Sequence, residues 1–74
     1  MKYIILEDFK MPIIFHELLN HSDMARGRNV RSAGFCDVNG QEELVSCWGR
    51  SASLNISSKQ DDGDILTHFL FPVM

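Results

Sequence analysis

The stretch Gly49-Arg50-Ser51-Ala52-Ser53 falls one residue short of the Gly-x-Ser-x-Gly of a serine hydrolase. The chemistry of that motif depends on its setting. A strand must end in a sharp turn at the serine, and a helix must follow whose N-terminus helps build the oxyanion hole. Here the residues after Ser51 alternate, with Ala52, Leu54 and Ile56 on one side and Ser51, Ser53, Asn55 and Ser57 on the other. A period of two with one apolar face is the pattern of a half-buried strand. Ser51 is therefore not expected to be a nucleophile. What the stretch offers instead is a row of small polar side chains, Ser51, Ser53 and Asn55, on an exposed sheet face beside Trp48 and Arg50. Trp and Arg are enriched where one chain anchors another, so these five residues are the candidate partner-binding surface. Core packing is the competing role for Trp48.

Other constellations carry less. His16 and His21 are five residues apart and point away from each other on a helix, unlike the i, i+4 pair of a helical zinc site. The two cysteines form no Cys-x-x-Cys. Asp61-Asp62-Gly63-Asp64 is too short for a calcium loop and lacks its closing glutamate. No glycine-rich phosphate loop occurs, and the neighbouring acids Glu42-Glu43 and Asp61-Asp62 are not a catalytic pair. The expectation is a non-enzymatic protein with no metal and no cofactor. Arg26, Arg28 and Arg31 fall within six residues and are the one candidate nucleic-acid patch, with Trp48 available to stack on a base. The formal net charge of −3 argues against general affinity for phosphates, so a solvated loop is the simpler reading.

These residues need elements to hold them. Lys2–Phe9 reads as a strand, its Tyr-Ile-Ile-Leu run apolar enough for a central position. Pro12 marks the start or edge of a second strand through Phe15, paired with the first as a hairpin. Phe15, Leu18 and Leu19 share a helical face, Ser22 can cap a turn through Ala25, and Gly27 is a helix stop, so one or two short helical turns follow. Val30–Val38 and Leu44–Trp48 are strands joined at Asn39-Gly40, a strong hairpin signal, through either a two-residue turn or a longer loop. Cys36 and Cys47 lie on the two arms. They read as two small buried hydrophobes, or as a cross-hairpin disulfide in an oxidising medium. Gly49 bends the chain into the Ser51–Ser57 strand. Ser58 and Asp61 fit an approximate capping box, and Ile65, Leu66, Phe69 and Leu70 give an apolar face, so Asp61–Leu70 is a C-terminal helix ended by Pro72. Gly63 weakens its first turn.

The expected fold is α+β: a small, mostly antiparallel sheet of about four to five strands, a short helical segment after strand two and a C-terminal helix. The 74 residues make one domain, 1–74. A chain this small gains from oligomerisation when disulfides and metals are lacking. Phe71, Val73 and Met74 form an apolar tail read as a homodimer contact. No stretch approaches a membrane span, and the apolar start meets Glu7 and Asp8 too soon for a secretory leader. The expected compartment is the cytoplasm.

Ser32-Ala33-Gly34-Phe35, then Cys47 through Leu54, then Ser57 through Asp62 form an ordered set that resembles small proteins encoded by bacteriophages and prophages. The resemblance covers about half the chain and brings no activity or site residues. It implies a bacterial cytoplasm and an accessory factor or inhibitor that binds a host protein.

Overall fold

The computed structural model describes residues 1–73. Its elements are β1 (Lys2–Leu6), β2 (Pro12–Phe15), α1 (His21–Ala25), β3 (Val30–Asn39), β4 (Leu44–Trp48), β5 (Arg50–Ser51), β6 (Ile56–Ser57) and α2 (Asp62–Leu70). The main sheet is antiparallel in the order β2-β1-β3-β4, and β5 pairs with β6 in a second, two-stranded sheet. The fold is thus α+β, as the sequence predicts.

Both faces of the main sheet are covered. On one side Tyr3, Ile5, Cys36 and Val45 meet Leu66 of α2. On the other, Ile4, Leu6, Phe15 and Ala33 meet Ala25 of α1, with Leu54 and Ile56 from the small hairpin packed beside them. The continuous Tyr-Ile-Ile-Leu run of β1 is apolar because successive side chains feed both cores.

Backbone hydrogen bonds fix the register. Cys36 N–H donates to Met1 O at 2.8 Å and the Met1 amino group donates to Cys36 O at 3.2 Å. The Cys36 backbone therefore faces β1. Cys36 pairs with Cys47 across β3–β4, and that pair makes no ladder bonds of its own, the closer of the two antiparallel pairings. Both thiols are free.

The sheet's two edges are guarded differently. Leu6 N–H donates to Met11 O at 2.8 Å, so by alternation Pro12 and Ile14 turn their backbones outward from β2. The proline places its missing N–H on the open edge, where it discourages pairing by another strand. On the opposite edge, Val45 N–H donates to Thr67 Oγ1 at 2.9 Å and that hydroxyl donates to Val45 O at 3.5 Å, so α2 occupies the edge of β4.

Several sequence expectations need correction. β1 ends at Leu6, not Phe9. Phe9 and Lys10 lie in the 3-10 turn Asp8–Lys10 with left-handed backbones, φ 58° and 48°, a conformation that costs roughly 1–2 kcal/mol per non-glycine residue. Phe15, Leu18 and Leu19 share no helical face. Phe15 is a buried strand residue, Leu18 is 85% exposed, and the only helix in this stretch is His21–Ala25. Of the two connections the sequence leaves open at Asn39-Gly40, the longer loop forms. Asn39 pairs with Leu44, its Oδ1 accepts from Glu42 N–H at 3.1 Å, and the left-handed residue is Glu43. The Ser51–Ser57 stretch is not one strand but two short arms around a turn. Ser58 and Asp61 form no capping box: Asp62 makes the local bond, accepting from Lys59 N–H at 2.9 Å. In the apolar tail Phe71 is partly buried against the core, Val73 is exposed, and Met74 lies outside the described residues.

Gly34 tests this packing. A Cβ there would lie 2.4 Å from Trp48 O, so Gly34→Ala must push the β3 and β4 backbones apart. Overpacking of this kind typically costs about 1–3 kcal/mol. Gly40 has open space around it, so Gly40→Ala should stay within about 0.5 kcal/mol. Urea unfolding midpoints of the two variants check both.

Candidate functional site

Trp48 is a large surface side chain held by a ring contact. It is 47% exposed at the end of β4. Its indole stacks on Phe35 of β3, directly opposite in register, with ring centroids 6.5 Å apart and planes at 26°. Phe35 meets His21 edge-on at 5.9 Å, and His21 meets Phe15 edge-on at 5.4 Å. The buried His21 ring is fixed in turn by a 2.9 Å bond from Nε2 to Gly34 O. A line of four rings thus runs from the core to the surface and ends at Trp48. Offset-stacked and edge-on ring pairs contribute about 0.5–1.5 kcal/mol each beyond burial, so the indole is held in place.

Two glycines let this happen. Gly34 admits the Trp48 carbonyl, as described above. Gly49 turns the chain with φ 82°, and a Cβ there would come within 3.0 Å of the Phe35 ring. The chain then enters the β5–β6 hairpin. Its turn brings Arg50 back over Asn55, where Arg50 Nη2 donates to Asn55 Oδ1. Asn55 takes the left-handed backbone, φ 56°, that asparagine tolerates best after glycine.

Of the five sequence candidates, Trp48, Arg50, Ser53 and Asn55 are exposed and neighbour one another in the hairpin region. Ser51 is not part of the surface. It is fully buried, and its Oγ accepts from Leu54 N–H at 3.1 Å. It is a turn-forming serine, with Ser53 Oγ 3.4 Å away. Ser53 in turn accepts from Ser22 N–H at 3.2 Å, tying the hairpin to the start of α1. The expected row of polar side chains on a flat sheet face does not exist, because the alternation belongs to a hairpin.

The arginine cluster is split. Arg31 donates to Asp61 at 2.9 and 3.1 Å and to Asp62 at 3.3 Å. These bonds hold the exposed Asp61 carboxyl below the ordinary carboxylate range. Arg26 caps α1 with a left-handed backbone, and its side chain, like that of Arg28, stays in solvent.

The densest polar cluster lies inside the protein. Asp62 is fully buried and accepts from Tyr3 Oη, from Ser32 Oγ at 2.8 Å, from Lys59 N–H and from Arg31. Every acceptor position is used and the carboxylate is closed to solvent, so the arrangement is a structural clamp. Burial and the neighbouring carboxylate push the Tyr3 hydroxyl far above its ordinary range. Burial also raises the Cys36 thiol and, with Cys36 and Asp62 nearby, pushes Cys47 up to about 12. Both shifts lower the thiolate fraction at neutral pH. Among the described residues no cluster of three or more His, Cys, Asp or Glu could hold a metal ion. No helix among them is long and apolar enough to cross a membrane.

Comparison of the chain with family models, with curated proteins and with solved structures finds no match.

Two features escaped the sequence reading. Asp62 lies in the run Asp61-Asp62-Gly63-Asp64, and no local pattern says which of its three acids is buried. Phe9 was placed inside a strand, although the Glu7-Asp8 break before it was a signal that the apolar run had ended.

The buried acids predict an alkaline limit. Tyr3, Cys36 and Cys47 all have folded pKa values raised above their unfolded ones. Their contribution is therefore fully present below the unfolded thiol value of about 8.5 and is lost as pH rises toward the folded values. Stability should be flat from pH 7 to 8 and fall steadily above about pH 9. Thermal melts across that range measure it. In parallel, Cys47 should react with iodoacetamide at pH 8 at least about a hundredfold more slowly than in urea-unfolded protein.

Proposed function

We propose that the protein is a small, non-enzymatic interaction module that binds a partner protein through the Trp48 platform. The observation that supports this most is the half-exposed indole held on the four-ring line. An aromatic anchor that is already ordered loses little conformational entropy on binding. Arg50 and Asn55 beside it supply polar contacts at the rim, and Trp and Arg are the residue types that most often dominate an interface. The setting consistent with the phage and prophage resemblance is a bacterial cytoplasm, with an accessory factor or inhibitor acting on a host protein.

Nucleic acid is the alternative ligand, through Arg26 and Arg28 with Arg31 committed to acids. Binding of that kind weakens steeply with salt.

The single tryptophan makes the reading testable. Wild type and Trp48→Ala, both checked for intact melting, are immobilised and exposed to bacterial lysate at low and at moderate salt. A protein retained by wild type near one-to-one should be lost from Trp48→Ala, with affinity lowered about 30-fold or more, the size of an interface hot spot. Adding that purified protein should shift the indole emission to the blue. Equal retention by both variants, or retention of nucleic acid alone with a steep salt dependence, would count against the proposal.

A further inference from the structure

Cys36 and Cys47 stand directly opposite each other on β3 and β4. They share no ladder bonds, because Cys36 commits its N–H and C=O to Met1 on the other side. In that kind of antiparallel pair the Cα atoms lie about 4.5 Å apart and the side chains are at their closest. A disulfide needs Cα atoms about 4.4–6.8 Å apart, so the register already sets the two side chains at bonding range. Direct partners across a sheet also share a face. Here it is the face under α2, where both side chains pack with Tyr3, Val45 and Leu66. The chain has two cysteines in all, so no third thiol competes for either.

We propose that Cys36 and Cys47 are a reversible redox pair, closing to a disulfide across β3–β4 when the surrounding thiol pool is oxidised and opening when it is reduced. The co-reactant is a small disulfide of the glutathione class. Cys47 is half-buried and is the sulfur such a reagent reaches, whereas Cys36 is fully buried. The Cys47 thiolate attacks one sulfur of the small disulfide, so that a mixed disulfide forms and one small thiolate leaves. The Cys36 thiolate then attacks Cys47 Sγ, the internal S–S bond forms and the second small thiolate leaves. The two protons given up by the protein pass to the two released thiolates. The protein loses two electrons and the small disulfide gains them.

Rate and equilibrium pull apart in this site. Burial raises both thiols, so thiolate is scarce and exchange on the folded protein is slow. Closure is nevertheless favoured at equilibrium, because the fold has already joined two residues that the unfolded chain must bring together at a cost in loop-closure entropy. The bond would tie β4 to β3 beneath the first turn of α2, where Gly63 passes close to Val45 O and Cys47 N. The pair lies apart from the Trp48 platform, so either reading can fail while the other stands.

A redox titration of the full chain tests it. Reduced and oxidised glutathione are mixed at graded ratios, with and without urea, and each ratio is approached from both the dithiol and the oxidised protein. Acid quenching, alkylation and mass spectrometry then count the free thiols. The native protein should close to a form two hydrogens lighter that takes up no alkylating group, and should return to the dithiol in reduced glutathione. At equal ratio, the quotient of closed to open chains should be at least about thirtyfold higher for native than for urea-unfolded protein. By the same linkage, the closed form should melt about 10 °C or more above the dithiol. Cys47→Ser should melt at one temperature in both buffers. The wild-type quotient needs no variant, so it decides the matter even where Cys47→Ser folds poorly. A native protein that keeps two alkylatable thiols at every ratio, that stops at the mixed disulfide, or that closes no more readily than the unfolded chain would overturn the proposal.

Discussion

The structure depends on one buried carboxylate. Asp62 has no exposed surface, and an isolated charge in that position would be prohibitively expensive. It is tolerated because four donors converge on it from three places in the chain: Tyr3 on β1, Arg31 and Ser32 on β3, and the Lys59 backbone ahead of α2. Each donor is itself placed by the sheet. Tyr3 is fully buried at the centre of the β1 run, and Ser32 sits opposite Ile5 in the β1–β3 register. The clamp therefore closes only when the two central strands are aligned and the start of α2 is docked on them. Removing one partner of such a buried ion pair typically costs about 3–5 kcal/mol, whereas a slipped register would lose several partners at once. In a domain too small for a large core, this gives the helix one place to begin.

The same convergence explains the rest of α2. With Asp62 fixed over Tyr3 and Ser32, the helix runs across the sheet toward β4. Leu66 drops into the core one turn later, and Thr67 reaches the open backbone of Val45. Gly63 is what permits this line, since a Cβ there would lie 2.9 Å from Val45 O. Its presence lowers helix propensity by about 1 kcal/mol against alanine. The sequence reading counted that as weakness, but tertiary packing is the reason for it. The path also leaves Ile65 and Phe69 on the side that faces the β1–β2 turn, and so creates a groove walled in part by Phe9.

Strand identity and order of elements were legible where one physical signal dominated. The Tyr-Ile-Ile-Leu run, Pro12 at an edge and the paired segments around Asn39-Gly40 all appear in the sheet. The failures share a cause: local spacing has more than one structural solution. Ser51–Ser57 alternates as a strand would, but Ser51 Oγ bonds to Leu54 N–H and Asn55 accepts a left-handed backbone, so the segment folds back on itself. Phe15, Leu18 and Leu19 are spaced for a helix, yet β1 claims Phe15 through a strand pairing that lies outside any local window. Ser58 and Asp61 are three residues apart, and so are Lys59 and Asp62. Only the tertiary donors waiting at Tyr3 and Ser32 decide that the second pair forms. For the candidate surface, Trp48 and Arg50 were readable from residue type alone. The loss of Ser51 from it followed from a turn that no periodicity reveals.

Of the exposed aromatics Phe9, Trp48 and Phe69, the first two are held outside the core by the backbone. Trp48 stands out because Gly34 and Gly49 bring the end of β4 against Phe35, closing the ring line from the core. Phe9 stands out because two consecutive left-handed residues turn it away from a core that its neighbours already fill. Relaxation is blocked in both cases by the elements fixed around Asp62. β1 cannot extend past Leu6 without moving Met11, whose carbonyl accepts from Leu6, and β4 cannot draw away from β3 while α2 is seated on its edge. An exposed aromatic on a flexible segment is commonplace. One whose exposure is enforced by close backbone contact and strained dihedrals is preorganised for contact with another surface. With a polar clamp holding the interior in one arrangement, a chain of this size can keep two such side chains in water, on separate faces, without collapsing onto either.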